Sequence, residues 1–124
     1  MLTRSLALFA ALVCLAADEK SFSSVEARKK VGERITVRME VKAAKDRLEK
    51  RGEIYLDADS DFKGENNFAV VITRKGAASL KDAGIDDPAE RYRGKTILAT
   101  GTVKEVDGIP RIEIDEAKQL AEAK

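Results

Sequence analysis

The sequence predicts an all-β fold: a small Greek-key β-barrel of five strands, with a short helical insert between strands three and four and short terminal helices. Three observations carry this reading. Residues 95–114, KTILATGTVKEVDGIPRIEI, hold two runs of alternating apolar residues on either side of Asp107-Gly108, and Asp-Gly tolerates the positive φ angles of a two-residue hairpin turn. Residues 34–41, RITVRMEV, alternate Ile35, Val37, Met39 and Val41 with Thr36, Arg38 and Glu40, the period-two pattern of a strand with one buried face. Residues 68–73, FAVVIT, are nearly continuous in apolar residues, as in a central strand covered on both sides.

At 124 residues the chain has room for one domain around one core. Charged residues make up 36% and hydrophobic residues 44%, which suits a small domain with a heavily solvated exterior. The formal net charge is +1 with the two signs interspersed, so no global field steers the chain toward a polyanion and a nucleic-acid reading must rest on a local patch. There is no histidine, and Cys14 is the only cysteine. A His/Cys metal site, a Cys/His nucleophile and a Ser-His-Asp triad are thereby excluded.

The elements follow in order. Residues 1–17, MLTRSLALFAALVCLAA, carry Arg4, an uninterrupted apolar run over 6–15 and then Ala16 and Ala17, which is the pattern of a secretory signal cleaved near Ala16 or Ala17. The run is short for a bilayer span, and Asp18-Glu19-Lys20 closes it. A buried N-terminal helix is the bland alternative. A lipid anchor at Cys14 fits less well, because Val13 stands where a small residue is expected. Cleavage after Ala17 removes Arg4 and Cys14 and leaves 22 basic and 22 acidic residues (23 basic less Arg4), so the expected periplasmic or secreted form needs no disulfide.

Residues 18–30 read as an N-terminal helix or linker: SFSSVEARKK has Ser24 as candidate N-cap, rests Ala27 and Val31 on the core with Val25 or Phe22, and ends at Gly32. The barrel domain is expected over 31–120. A charge-rich loop, 43–52, follows the first strand, and 53–56, EIYL, gives the second, with Ile54 and Leu56 on one side and Tyr55 on the other. Residues 57–67, DADSDFKGENN, are turn formers. After the third strand, 76–84 predicts one or two helical turns with Leu80 inward and Gly84 ending them. A further turn has Pro88 at its first position and Tyr92 near its close. In the final hairpin the turn sets Val106 against Ile109, Lys104 against Arg111, Val103 against Ile112 and Gly101 against Ile114. That register puts Ile97, Ala99, Val103, Ile112 and Ile114 on a core face and Thr100, Thr102, Lys104, Arg111 and Glu113 on a wet one. Residues 115–124, rich in Ala, Glu and Lys, predict a frayed helix with a loose tail at 121–124.

Three strands, a helical piece and two more strands are the connectivity of an OB-fold. The segments YRGKTILATGTVKEVDGIPRIEI, DDPAERYRGKTI and VGERITVRMEV resemble bacterial OB-fold domains of the nucleic-acid-binding type, including those attached to exported nucleases. The resemblance covers about 31–120 and implies the barrel more strongly than it implies a ligand.

Between strands one and two, Lys42, Lys45, Arg47, Lys50 and Arg51 stand against Asp46 and Glu49, a local surplus of three positive charges. In OB-folds this loop, the face of the second and third strands and the last hairpin loop line a groove for oligonucleotides or sugars. Tyr55 is the ring that alternation turns away from the core, and Lys104 and Arg111 add cations from the hairpin. The bland alternative is a solvated, solubilising loop. The acidic run Asp57, Asp59, Asp61 and Glu65 has the residue types of a Ca²⁺ loop, but Phe62 and Phe68 occupy the glycine and glutamate positions that an EF-hand needs. A plain turn-rich loop is the better reading, and no metal or cofactor is expected. Thr96, Thr100 and Thr102 are ordinary strand-surface residues.

The functional expectation is an exported, non-enzymatic, monomeric binding module, not membrane-bound in its mature form. It is expected to take single-stranded nucleic acid or another anionic polymer weakly, through Lys42, Lys45, Arg47, Lys50, Arg51, Tyr55, Lys104 and Arg111. The alternative is an envelope protein-interaction or stress-associated domain that presents an edge or the hairpin tip, Val106 and Ile109, to a partner protein. An enzyme is the least favoured class, because no histidine, thiol or convergent carboxylate pair is available to position a reacting proton.

Overall fold

The first ordered turn forms because Ser23 and Glu26 satisfy each other's backbone N–H groups. The Ser23 hydroxyl accepts from the Glu26 amide (3.2 Å) and the Glu26 carboxylate accepts from the Ser23 amide (3.0 Å), a capping box that starts α1 (Ser24–Ala27). The cap is therefore Ser23, one residue before the expected Ser24. Residues 20–124 are described in this computed structural model; the secretory signal and the Cys14 alternative lie outside them. Ala27 is buried, but Val25 and Val31 are 58% and 49% exposed, which corrects their expected place on the core. Of the two alternatives, Phe22 and not Val25 packs against the core, and it bridges in parallel to Val37.

The strand β1 (Arg34–Glu40) turns Ile35, Val37 and Met39 inward as its alternation requires. Residues 43–52 are not a loop. They form β2 (Ala43–Arg47) and a one-turn helix α2 (Leu48–Arg51), closed by left-handed Gly52 at φ 76°. Ala, Lys, Asp and Arg are poor strand formers, but every residue of β2 is paired with β3 (Glu53–Asp57), from Ala43 opposite Asp57 to Arg47 opposite Glu53. Tertiary pairing overrides local propensity here.

The strand β4 (Ala69–Thr73) is covered on both faces, with Val70 and Ile72 in the core and Val71 buried on the other side. The Thr73 hydroxyl accepts from the Gly76 amide at 3.1 Å and starts α3 (Arg74–Asp82), whose Leu80 is buried. Gly76 lets this helix lie against the sheet, since a Cβ there would collide with the Ile114 carbonyl. The helix α4 (Pro88–Tyr92) has Pro88 in its first turn and buries Tyr92. The chain then runs through β5 (Thr96–Val106), β6 (Ile109–Ile114), a 3₁₀ turn (Ala117–Gln119) and β7 (Leu120–Glu122).

The strands are ordered β1-β5-β6-β4-β3-β2, with β7 also on β5. Only β4 and β6 run parallel among these ladders. The two ends of this path are consecutive in the chain: the Val41 amide donates to Lys95 O at 2.8 Å, while the next amide, Lys42, donates to Asp57 O at 2.9 Å. Adjacent residues thus serve opposite ends of the ladder. β1 and β2 are the two halves of one bent strand, and with β3, β4, β5 and β6 they make the five-stranded barrel of an OB-fold around Ile54, Leu56, Val70, Ile72, Ile97 and Ile112.

In the hairpin Asp107 and Gly108 take φ 54° and 80°, and Val106–Ile109, Lys104–Arg111 and Val103–Ile112 pair as the sequence requires. The ladder stops there. Gly101 does not pair with Ile114; β5 continues along β1 with Gly101 opposite Ile35. The Gln119 amide spans the opening, donating to Thr100 O (2.9 Å) and Glu113 O (3.0 Å). Because β6 leaves β5, an edge of β5 is free over 97–99, and β7 takes it with Leu120 opposite Ala99. The expected frayed C-terminal helix is therefore a single 3₁₀ turn followed by a strand, and the expected loose tail is held as far as the Ala123 amide, which donates to Thr96 O at 2.8 Å. Among the described residues no helix is long and apolar enough to cross a membrane.

Candidate nucleic-acid interface

Alternation sends Glu53, Tyr55 and Asp57 of β3 to the outer face, opposite the core-facing Ile54 and Leu56. Tyr55 stands between Lys45 of β2 and Val71 of β4, and Arg111 of β6 lies opposite Ala69. This face, the 58–67 loop and the hairpin tip enclose a groove of about 680 Å³. Its lining includes Arg28, Lys45, Arg47, Arg51, Lys63 and Arg111 against Asp57, Glu65 and Asp107, six cations to three carboxylates. The net charge of the whole chain conceals this local excess.

Of the residues expected to bind, Lys45, Arg47, Arg51, Tyr55 and Arg111 come together on this groove. Lys42, Lys50 and Lys104 do not line it. Lys50 borders a separate depression beside α2 with Asp46, Leu48, Glu49 and Arg74. Lys104 faces solvent and pairs with Glu113 at 3.3 Å.

Two of the residues that do converge are already engaged. Arg111 contacts Glu53 at 3.1 Å and Glu113 at 3.2 Å, and its side chain is only 12% exposed. The Tyr55 hydroxyl donates to Glu53 at 2.6 Å. Burial pulls the Glu53 carboxyl upward, but the Tyr55 hydroxyl and the Arg111 guanidinium outweigh it and hold the group below the usual glutamate range. Burial, helped by Glu53, raises the Tyr55 phenol. Tyr55, Glu53 and Arg111 therefore form a fixed polar brace on the outer face of the sheet.

Among the described residues the exposed large aromatic ring is Phe62, on the 58–67 loop. It is 43% exposed and lines the groove, with the Lys45 ammonium 4.2 Å and the Lys63 ammonium 5.6 Å from its centroid. In the sequence Phe62 figures only as a residue that spoils a Ca²⁺ loop, and the one signal that could have found it is an aromatic standing among turn formers. Arg28 has no comparable signal: it enters the groove because α1 ends beside the loop, where its Nε donates to Asn67 O at 3.0 Å.

The acidic run organises the loop. Asp59 accepts from the Asp61 amide at 3.2 Å, and Asp61 from the Lys63 amide at 3.0 Å, both side-chain-to-backbone turns. Asn67 is buried and donates to Asp57 Oδ1 (3.1 Å) and Phe62 O (3.2 Å), while its own Oδ1 accepts from the Asp59 amide (3.0 Å). Among the described residues no group of three or more His, Cys, Asp or Glu side chains is placed to hold a metal ion. Asp57 differs from the others: it is 2% exposed, and burial raises its carboxyl above the usual aspartate range against the opposing pull of Asn67 and Lys45.

No protein-family model matches the chain, and no curated protein matches its sequence. Solved structures do match. An aspartyl-tRNA synthetase from Entamoeba histolytica superposes with a TM-score of 0.56 at 15% identity, over 88% of this chain and 22% of that one. A putative aspartyl-tRNA synthetase from Leishmania major gives 0.54 at 9% identity, over 85% and 21%. The OBody AM1L10, solved bound to hen egg-white lysozyme, gives 0.56 at 15% identity, over 86% of this chain and 95% of the OBody. The chain spans about a fifth of the length of these synthetases. At such identities the likeness is one of fold, and it agrees with the barrel derived above.

Proposed function

We propose that this chain is an exported, non-enzymatic OB-fold module that binds single-stranded nucleic acid in the groove between β2, β3 and the hairpin tip. The observation that carries this reading is the exposed Phe62 ring, with the Lys45 and Lys63 ammonium groups close to it, in a groove with six cations. An aromatic platform within a cationic channel is what stacking bases and a phosphate backbone require together. The fold neighbours named as tRNA synthetases support the nucleic-acid reading, since their names join the fold to an RNA. The pattern of residues 1–17 supports export to the periplasm or beyond. The likeness of 31–120 to OB-fold domains attached to exported nucleases supports a role beside a separate catalytic protein.

The test is a fluorescence-anisotropy titration of labelled single strands, about 12 nucleotides long, at about 20 mM salt and again at higher salt. Four groove cations outside the Glu53–Arg111 brace and the Arg28–Asn67 contact, namely Lys45, Arg47, Arg51 and Lys63, give an expected slope of log K against log salt of roughly −3. No binding at the lowest salt removes the reading. Fractionation of the host with an epitope-tagged full chain tests export separately.

A second reading is favoured by the OBody, an OB-fold solved on a protein surface. In it, the half-buried Val106 and Ile109 at the hairpin tip, which also line the groove, contact a partner protein in the envelope. Val106→Asp would abolish co-purification of such a partner.

A further inference from the structure

Among the described residues, Asp57 Oδ2 is the buried side-chain oxygen that accepts no hydrogen bond. Its twin Oδ1 is held by the Asn67 amide at 3.1 Å, and that amide also donates to Phe62 O. A buried acceptor left unpaired costs free energy, which a donor on a ligand would recover. Asp57 lines the groove with Tyr55 and is tied through Asn67 to the backbone of Phe62. One buried amide thus ties the unpaired acceptor to the backbone that carries the stacking ring.

We propose that Phe62 and Asp57 form a base-selective subsite in which a base stacks on the Phe62 ring and its exocyclic amino group donates to Asp57 Oδ2. The inference rests on the single-strand reading above and adds a preference among bases. Cytosine offers a donor at N4, whereas uracil, like thymine, presents the O4 acceptor at the same place. An acceptor facing a carboxylate oxygen is repelled, so the subsite takes cytosine and disfavours uracil.

Access to Asp57 involves Lys45. On the paired strand Lys45 is the diagonal neighbour of Asp57, one alternation step from Ala43, which stands opposite it. Its ammonium occupies a face of Phe62 at 4.2 Å. A base that takes that face displaces a flexible side chain, frees it to meet a phosphate and opens the carboxylate in the same movement.

The experiment is anisotropy with labelled dC and dU strands of about 12 nucleotides at about pH 7.5 and about 20 mM salt, using the purified chain and its Asp57→Asn variant. The two strands share ring size and backbone, so stacking and charge are held nearly constant. The wild type is expected to bind the dC strand about fivefold or more tighter, the lower end of one good base contact. In Asp57→Asn the side-chain oxygen retains the Asn67 amide and an NH₂ replaces Oδ2, so the preference is expected to vanish or reverse. The salt slope stays as in the wild type, because no groove cation has changed. Equal binding of both strands by the wild type overturns the subsite while leaving the groove intact. Retention of the dC preference by a folded Asp57→Asn overturns it as well. Binding of neither strand overturns the groove reading and the subsite with it.

Discussion

Arg111 and Glu53, 58 residues apart in sequence, meet through a 3.1 Å ion pair that ties β6 to β3 across the outer face of β4. The guanidinium also reaches Glu113, and Glu53 also takes the Tyr55 hydroxyl. A cation that the sequence offers to a ligand is therefore committed to the protein itself.

Replacing Arg111 by Ala leaves the part-buried Glu53 carboxylate without its ion-pair partner, while Glu113 keeps Lys104. Thermal or urea denaturation is expected to register a loss of about 1–3 kcal/mol. Single-strand affinity is expected to fall by less than for a groove cation outside the brace, such as Arg47.

The Glu53 carboxyl lies below its ordinary value of 4.5 in the folded chain. Its stabilising contribution is therefore complete above pH 4.5 and is lost as the pH falls through the lowered folded value. Comparison of the wild type with Glu53→Gln across an acid titration of melting temperature is expected to show the wild-type advantage shrinking toward low pH. A constant gap would refute the assignment.

Phe62 and Tyr55 exchange the roles that the sequence assigns them. Phe62→Ala is expected to weaken single-strand binding by about 1–3 kcal/mol, the usual worth of one stacked base, with little change in melting temperature because the ring is 43% exposed. Tyr55→Phe is expected to do the reverse, costing roughly 1 kcal/mol of stability through the lost bond to Glu53 and leaving affinity nearly unchanged. An affinity loss in Tyr55→Ala with none in Phe62→Ala would return the platform to Tyr55.

Asp57 carries the opposite pH sign to Glu53. Its carboxyl sits above the ordinary 3.8, so the folded chain holds the proton more tightly than the unfolded one and stability falls as the pH rises through that interval. Asp57→Asn removes the penalty. It is expected to be more stable than the wild type by about 1–2 kcal/mol at about pH 7, with the advantage fading toward about pH 4 in parallel thermal melts. Equal stability at both values would show that the buried carboxylate is compensated.

Where pattern and pairing agree, the residues announce their places. Val103 and Ile112, Leu80, Pro88, Val70 and Val71 are found as periodicity and turn chemistry require. Ala43–Arg47 and Leu120–Glu122 are not legible, because neither segment contains a run of β-branched residues; each is extended by a neighbour with an unsatisfied edge. At the candidate site, the basic character of 42–51 is visible in the sequence. The division between free and engaged cations is not, since it depends on Glu53 and Glu113 reaching Arg111 from different strands. Phe62 is hidden for a related reason: its exposure is set by how Asn67 folds the surrounding turns, not by any periodicity.

Val41 and Lys42 share a peptide bond, yet their amides face opposite rims of the sheet. The circle of strands is thus completed by a covalent link at one place, and a backbone nick there would leave β1 and β2 with no ladder joining them. Circular permutants opened at that bond would test whether the remaining ladders alone can keep the cylinder shut.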